Sequence, residues 1–238
     1  MCGKKNLVIL GLSTVCILLL ILSCTLIWRG GGYWNKLLVR VGIKEDNPEI
    51  NWALKSWDNC LEQMKYDADI VFLGDSITYG GDWQQAFPKQ KVVNLGYPGD
   101  SLVGMIDRIS LVENVHPETV IIMGGINGLK YYGIDTSIKY YTTLIQKLQD
   151  SVPEATIIVQ SLLPIAVEKE KNYGSNKNIE EFNSRLYELA DEHRLKYLDV
   201  YRLYEENGCI NTEMTTDGLH IKECAYLEWY NLLREVIQ

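Results

Sequence analysis

From Leu7 to Trp28 the chain runs 22 residues without a charge, with Lys4 and Lys5 before the run and Arg29 after it. As a helix rising about 1.5 Å per residue, such a run spans the roughly 30 Å hydrocarbon layer of a bilayer. An uncleaved signal anchor fits better than a cleaved signal peptide, because the first alanine of the chain is Ala53 and no Ala-x-Ala-type site precedes it. Ile21-Leu22-Ser23-Cys24 loosely matches a lipobox, yet Leu22 is bulky for its slot and Thr25-Leu26-Ile27-Trp28 continues the apolar run past the cysteine. Gly30-Gly31-Gly32 then opens a flexible connection that reaches about Pro48. The expected organisation is a membrane anchor over 1–28, a linker over 29–48 and one folded domain over 49–238.

Beyond Pro48 the pattern changes period. Ile50, Leu54, Trp57, Leu61 and Met64 alternate spacings of four and three, which predicts an amphipathic helix. Short apolar runs follow at Asp69–Leu73, Val92–Leu95, Val120–Met123, Thr156–Val159 and Tyr197–Val200. Helical stripes lie between or after them: Leu102/Ile106/Ile109, Ile134/Ile138/Tyr141/Ile145/Leu148, Ile179/Phe182/Leu186/Leu189 and Tyr226/Tyr230/Leu233/Ile237. Strands separated by helices of this length imply right-handed crossovers and a parallel sheet covered on both faces. The expected fold class is therefore α/β, a flavodoxin-like three-layer α/β/α domain with a five-stranded parallel sheet. In such sheets ligands bind beyond the carboxyl ends of the strands.

Charge narrows the partners. A formal net charge of -8 offers no basic face for phosphate, so nucleic acid is not expected as a partner. It does not orient the anchor, because Lys4 and Lys5 on one side face Arg29, Lys36, Arg40 and Lys44 on the other. A long folded domain can translocate past such charges, and the domain is expected outside the cytoplasm. Of the six cysteines, Cys2, Cys16 and Cys24 lie in or beside the apolar run, and Cys60, Cys209 and Cys224 lie in the body. Their spacing suggests no zinc site; they read as small core residues, with a Cys209–Cys224 bridge left open. No metal or cofactor is called for.

The ends of the strands carry the candidate chemistry. The first strand closes on Gly74-Asp75-Ser76, which presents a serine at a strand-to-helix turn, although Asp and Ser also serve as plain helix caps. The second closes on Gly96-Tyr97-Pro98-Gly99-Asp100-Ser101, where Gly99 can turn an N–H inward or simply form a turn before a helix capped by Asp100 or Ser101. The third closes on Gly124-Gly125-Ile126-Asn127-Gly128. There Asn127 offers an amide donor for an oxyanion, or else an Asn-Gly turn. Before the final helix stands Asp217-Gly218-Leu219-His220, where an aspartate three residues upstream can hold one ring nitrogen while the other faces a serine. His116 precedes the third strand, at the wrong edge of the sheet, and His193 extends the Ile179–Leu189 stripe. Neither has a comparable aspartate, which leaves His220 as the candidate base.

Taken together, Gly74-Asp75-Ser76, Gly99, Gly125-x-Asn127 and Asp217-x-x-His220 resemble the four signature blocks of the SGNH/GDSL hydrolases, over roughly Ile70 to Tyr226. The likeness is to bacterial proteins similar to the platelet-activating-factor acetylhydrolase catalytic subunit; Val159–Pro164 and the Ile179–Asn183 helix start share it. The resemblance implies Ser76 as nucleophile, His220 as base and Asp217 as its orienting acid. It further implies an oxyanion hole from the Ser76 and Gly99 amides and the Asn127 side chain. Two positions depart from the family: Gly128 stands where many relatives have aspartate, which removes one possible positioning partner of Asn127, and Ala225 stands where glycine is common.

The implied activity is hydrolysis of a small acyl ester, an O-acetyl group on a cell-surface carbohydrate or lipid. Acyl transfer to a cell-envelope sugar would use the same triad, and a non-catalytic glycan-binding domain would need none of it. Tyr79, Trp83, Tyr97, Tyr131 and Tyr132 fall in crevice loops, where they could stack on sugar rings or merely pack.

Overall fold

Four of the five apolar runs become strands of five residues, because β-branched side chains fit a pleated surface buried on both faces. In the computed structural model, which describes residues 67–237, these strands are β1 (Ile70–Gly74), β2 (Val92–Gly96), β3 (Thr119–Met123) and β4 (Thr156–Gln160). The shorter β5 (Lys196–Leu198) completes a parallel sheet of order β2-β1-β3-β4-β5. Register is unbroken across its centre, with Gly74 opposite both Gly96 and Met123. The direction of winding reverses between β1 and β3, which opens the crevice at the carboxyl ends of those two strands. The apolar run Leu7–Trp28, the connection to Pro48 and the stripe through Met64 lie outside the described residues. Among the described residues no helix is long and apolar enough to cross a membrane.

On one face, the short helices α1 (Ser76–Tyr79) and α2 (Trp83–Ala86) follow β1. The chain returns to this face in the last helix, α9 (Tyr226–Val236), whose stripe was legible in the sequence. Trp83 stacks on Phe72 of β1 with ring centroids 4.0 Å apart and meets Trp229 edge-on at 5.1 Å. These rings bury the underside of the turn that carries Ser76.

The other face is covered by α3 (Leu102–Asp107), α4 (Ile109–Asn114), α5 (Ile126–Ser151) and α7 (Asn176–Glu192), which all pack around α5 or on it. The sequence predicts one helix through Leu102 and Ile109; the structure breaks it at Arg108, whose backbone leaves the helical region and whose side chain turns into the core. Likewise α5 starts earlier than its stripe and is interrupted at Gly133, where φ is 71°. Strand β5 ends two residues before the predicted Val200, because Ser161 Oγ accepts from the Val200 and Tyr201 amides at 2.9 and 2.8 Å and turns the chain out of the sheet.

After β4 the segment Ser161–Ile165 is held by two buried asparagines of α7. Asn183 brackets the Leu162 amide and carbonyl, and Asn176 does the same for Ile165. A short helix α6 (Glu170–Tyr173), a turn of helix α8 (Tyr201–Tyr204) and a two-stranded ribbon β6 (Glu205–Glu206)–β7 (Cys209–Ile210) complete the described residues. None of these carried a periodic signal. Cys209 and Cys224 are free, so the bridge left open by the sequence is not formed.

Candidate active site

The turn after β1 is tight. A Cβ on Gly74 would lie 2.0 Å from Thr78 Oγ1 and 2.6 Å from the Met123 carbonyl oxygen, so only glycine closes it. Asp75 caps α1, its Oδ1 accepting from the Ile77 amide at 2.9 Å. From beneath, Tyr226 O–H donates to the Ile77 carbonyl at 2.6 Å and Trp83 Nε1–H to the Thr78 carbonyl at 2.7 Å. Ser76 is thus fixed, half-buried, at the carboxyl edge of the sheet.

The histidine arrives from 144 residues further on, with its Nε2 2.9 Å from Ser76 Oγ. Its Nδ1 lies 3.1 Å from Asp217 Oδ2. Asp217 in turn accepts at Oδ1 from the Leu219 and His220 amides, at 3.0 and 2.8 Å. Burial works against its charge, but the His220 and Leu219 amides and the imidazole outweigh burial and hold the carboxyl well below the usual carboxylate range. Gly218 makes this loop possible: its φ is +85°, and a Cβ there would press to 2.7 Å from Ala166 Cβ. The Ala166 amide also donates to the Gly218 carbonyl at 2.8 Å, which docks the loop on the segment after β4. From that segment Lys169 Nζ reaches within 3.4 Å of Asp217 Oδ2.

β2 and β3 flank β1 in the sheet, and their carboxyl ends lead to the other two candidate donors. Gly99 has φ +78° and is exposed, and Asn127 lies in the first turn of α5. Neither the Ser76 nor the Gly99 amide donates a hydrogen bond to another group among the described residues. Asn127 Nδ2–H donates to the Asp100 carbonyl at 2.8 Å. Because a carbonyl only accepts, this contact fixes which end of the amide is nitrogen and leaves its second N–H for another acceptor. Gly128 therefore does not leave Asn127 unpositioned, because the Asp100 backbone carbonyl holds its amide. The other two histidines stand apart, His193 with Gln149 and His116 with Asp67.

Sequence reasoning missed the support behind these groups. Arg108 is 5% exposed and ion-paired with Asp100, a residue the sequence marks only as a helix cap. The available signal was a charge on an apolar helix face, between Met105 and Val112. Of the candidate stacking aromatics, Trp83 and Tyr97 are buried in packing, whereas Tyr79 and Tyr131 are exposed. For the first two, packing is the outcome.

Asp75 is wholly buried and its Oδ2 has no partner among the described residues. Burial, partly opposed by the Ile77 amide and reinforced by the nearby Asp100 charge, pushes its carboxyl up to about 7 from 3.8. Between those values the folded chain binds the extra proton, so this group's contribution to stability is full below about pH 4 and is lost as pH rises through 7. Asp75→Asn keeps the cap but cannot ionise. Relative to wild type it is expected to gain on the order of 3–4 kcal/mol between pH 4 and pH 8 in urea unfolding. A difference independent of pH would contradict this assignment.

A five-stranded α/β sheet with serine, histidine and aspartate joined at its carboxyl edge defines a hydrolase of the SGNH architecture. The sequence matches the GDSL-like Lipase/Acylhydrolase family over residues 72–226, and the chain belongs to that family. As a member it is a carboxylic ester hydrolase. Among solved structures, a Streptococcus pneumonia protein provisionally described as a platelet activating factor superposes with a TM-score of 0.69 at 22% identity, covering 79% of this chain and 95% of that one. An acetyl-xylooligosaccharide esterase variant from Geobacillus superposes with a TM-score of 0.58 at 18% identity, covering 74% and 97%. At these identities the likeness is one of fold. N-acylneuraminate cytidylyltransferase of Streptococcus agalactiae is 24% identical over 159 residues, 67% of this chain but only 36% of that enzyme's length.

Proposed function

We propose that this chain is a serine esterase that removes a small acyl group, most simply O-acetyl, from a carbohydrate or lipid at the cell surface. The observation that carries the reading is the 2.9 Å contact of Ser76 Oγ with His220 Nε2, backed by Asp217 on the far side of the ring. Ser76 Oγ attacks the ester carbonyl while His220 takes its proton, and the C=O π pair moves onto oxygen. That oxyanion meets the Ser76 and Gly99 amides and the free N–H of Asn127. Collapse expels the alcohol, which receives the proton from His220 and leaves an acyl-serine. Water, deprotonated by His220, then attacks the acyl-serine and releases the acid and Ser76. Asp217 stays ionised throughout and stabilises the imidazolium.

The acetyl preference rests on family membership and on the Geobacillus neighbour, which acts on acetylated xylo-oligosaccharides. The test is acetate release from acetylated xylan, O-acetylated neuraminate and aryl esters of graded length, with Ser76→Ala beside each. Acetate from a glycan, falling activity on longer aryl esters and no release by Ser76→Ala are expected. Preference for long acyl chains would contradict the reading.

Asn127→Ala is expected to lower kcat by about 10²–10³ with little change in KM, since one oxyanion donor is lost and substrate binding is not. A change of less than a few-fold would make Asn127 a turn residue only.

The same proposal places the enzyme on a single-pass anchor with its catalytic domain outside the cytoplasm. Support comes from the uncharged Leu7–Trp28 run and the glycines after it. The full chain should resist carbonate extraction, and protease added to intact cells should remove the domain. Protection until the membrane is broken would put the domain inside.

A further inference from the structure

Arg108 is the most heavily engaged charged side chain behind the crevice. Its Nε donates to Asp100 Oδ2 at 3.1 Å, Nη2 donates to the same oxygen, and Nη1 donates to the Leu95 carbonyl of β2 at 3.1 Å. Its guanidinium carbon also sits 3.7 Å from the centre of the Tyr97 ring. One planar cation thus ties together the end of β2, the aromatic start of the following loop and the residue after Gly99. Asp100 is gripped again at Oδ1 by the Ser101 amide at 2.9 Å. A Cβ on Gly104 would lie 1.9 Å from that same oxygen, so the sequence keeps space for the carboxylate. Burying this pair costs desolvation that a well-packed apolar pair would avoid, so stability alone is a weak reason for it.

What Asp100 holds is more telling. Its own carbonyl accepts from Asn127 Nδ2, and it follows directly on Gly99 in the chain. Asp100 is therefore hydrogen-bonded to one of the three proposed oxyanion donors and covalently joined to the residue that carries another. We propose that Arg108 is a positioning residue of the oxyanion hole, acting through Asp100 on the Gly99 amide and the Asn127 side chain. The inference rests on the oxyanion reading given above. Arg108 touches no substrate. It fixes the angle at which two donors converge, and misplacement of about 1 Å is enough to cost some 10²-fold in rate.

Lysine keeps the charge but carries its donors on a single nitrogen, which cannot reproduce the planar fork that reaches the Asp100 carboxylate and the Leu95 carbonyl together. In the full-length chain, with p-nitrophenyl acetate as the probe, Arg108→Lys is expected to lower kcat about 10- to 100-fold and to change KM less than about threefold. A purely structural role would instead lower the melting temperature and leave the kcat of the folded fraction alone. The deciding measurement is the double variant Arg108→Lys/Asn127→Ala. If Arg108 acts through the oxyanion donors, the double variant loses much less than the product of the single losses. Full multiplication of the two losses, or a folded Arg108→Lys with wild-type kcat, overturns the inference. Should Arg108→Lys not fold, Arg108→Gln/Asp100→Asn removes both charges, and its kcat with and without Asn127→Ala decides in the same way. Failure of the underlying reading looks different: Asn127→Ala alone would then leave kcat unchanged.

Discussion

Replacing Ser76 by alanine is expected to lower kcat on an aryl acetate by about 10⁵–10⁶, with only the background supplied by binding and the oxyanion donors left. The size follows from the geometry. Ser76 Oγ is the only atom that His220 Nε2 contacts at 2.9 Å among the hydrogen bonds of the described residues, so no other hydroxyl inherits its proton transfer. The turn does not depend on the hydroxyl, because Asp75 Oδ1, Tyr226 and Trp83 hold the flanking backbone. Stability should therefore change by less than about 1 kcal/mol in urea unfolding, the worth of one ordinary hydrogen bond. Substantial turnover in Ser76→Ala, or collapse of its fold, would contradict this.

Asp217→Asn is expected to cost about 10³–10⁴ in kcat and, less obviously, to be worse than Asp217→Ala. In the wild type the Leu219 and His220 amides both donate to Asp217 Oδ1, which leaves Oδ2 for the imidazole. An asparagine must turn its one oxygen toward those two donors, and its NH₂ then faces His220 Nδ1. Two donors cannot meet there, so the ring adopts the tautomer with its proton on Nε2, where it can no longer accept from Ser76. Alanine removes the orienting group but imposes no tautomer. Steady-state kcat for the two variants, measured side by side, decides the point. Equal losses would mean that Asp217 acts only by charge.

The strands were legible because residues such as Val71, Ile121 and Ile158 are buried on both faces of the sheet and so form unbroken apolar runs. The meeting of Ser76, His220 and Asp217 was legible because Asp217 and His220 are three residues apart and Ser76 follows the end of a strand by two residues. The break between α3 and α4 was not, since Leu102, Ile106 and Ile109 keep helical spacing and the cause is Arg108 turning inward to Asp100. Nor was the partner of Asn127, because a backbone carbonyl leaves no mark on residue identity. Trp83 and Tyr79 lie in short helices whose sequences carry no periodic signal, yet one stacks on Phe72 and the other is exposed; only tertiary packing tells them apart.

The central claim is that Ser76 is the activated nucleophile. Reaction with a fluorophosphonate followed by peptide mass mapping tests it most directly, because only a serine beside a working base is phosphonylated quickly. One equivalent of label on Ser76, lost in Ser76→Ala and strongly slowed in Asp217→Asn, is the expected result. Label on another serine, or label that persists in Ser76→Ala, would contradict the account.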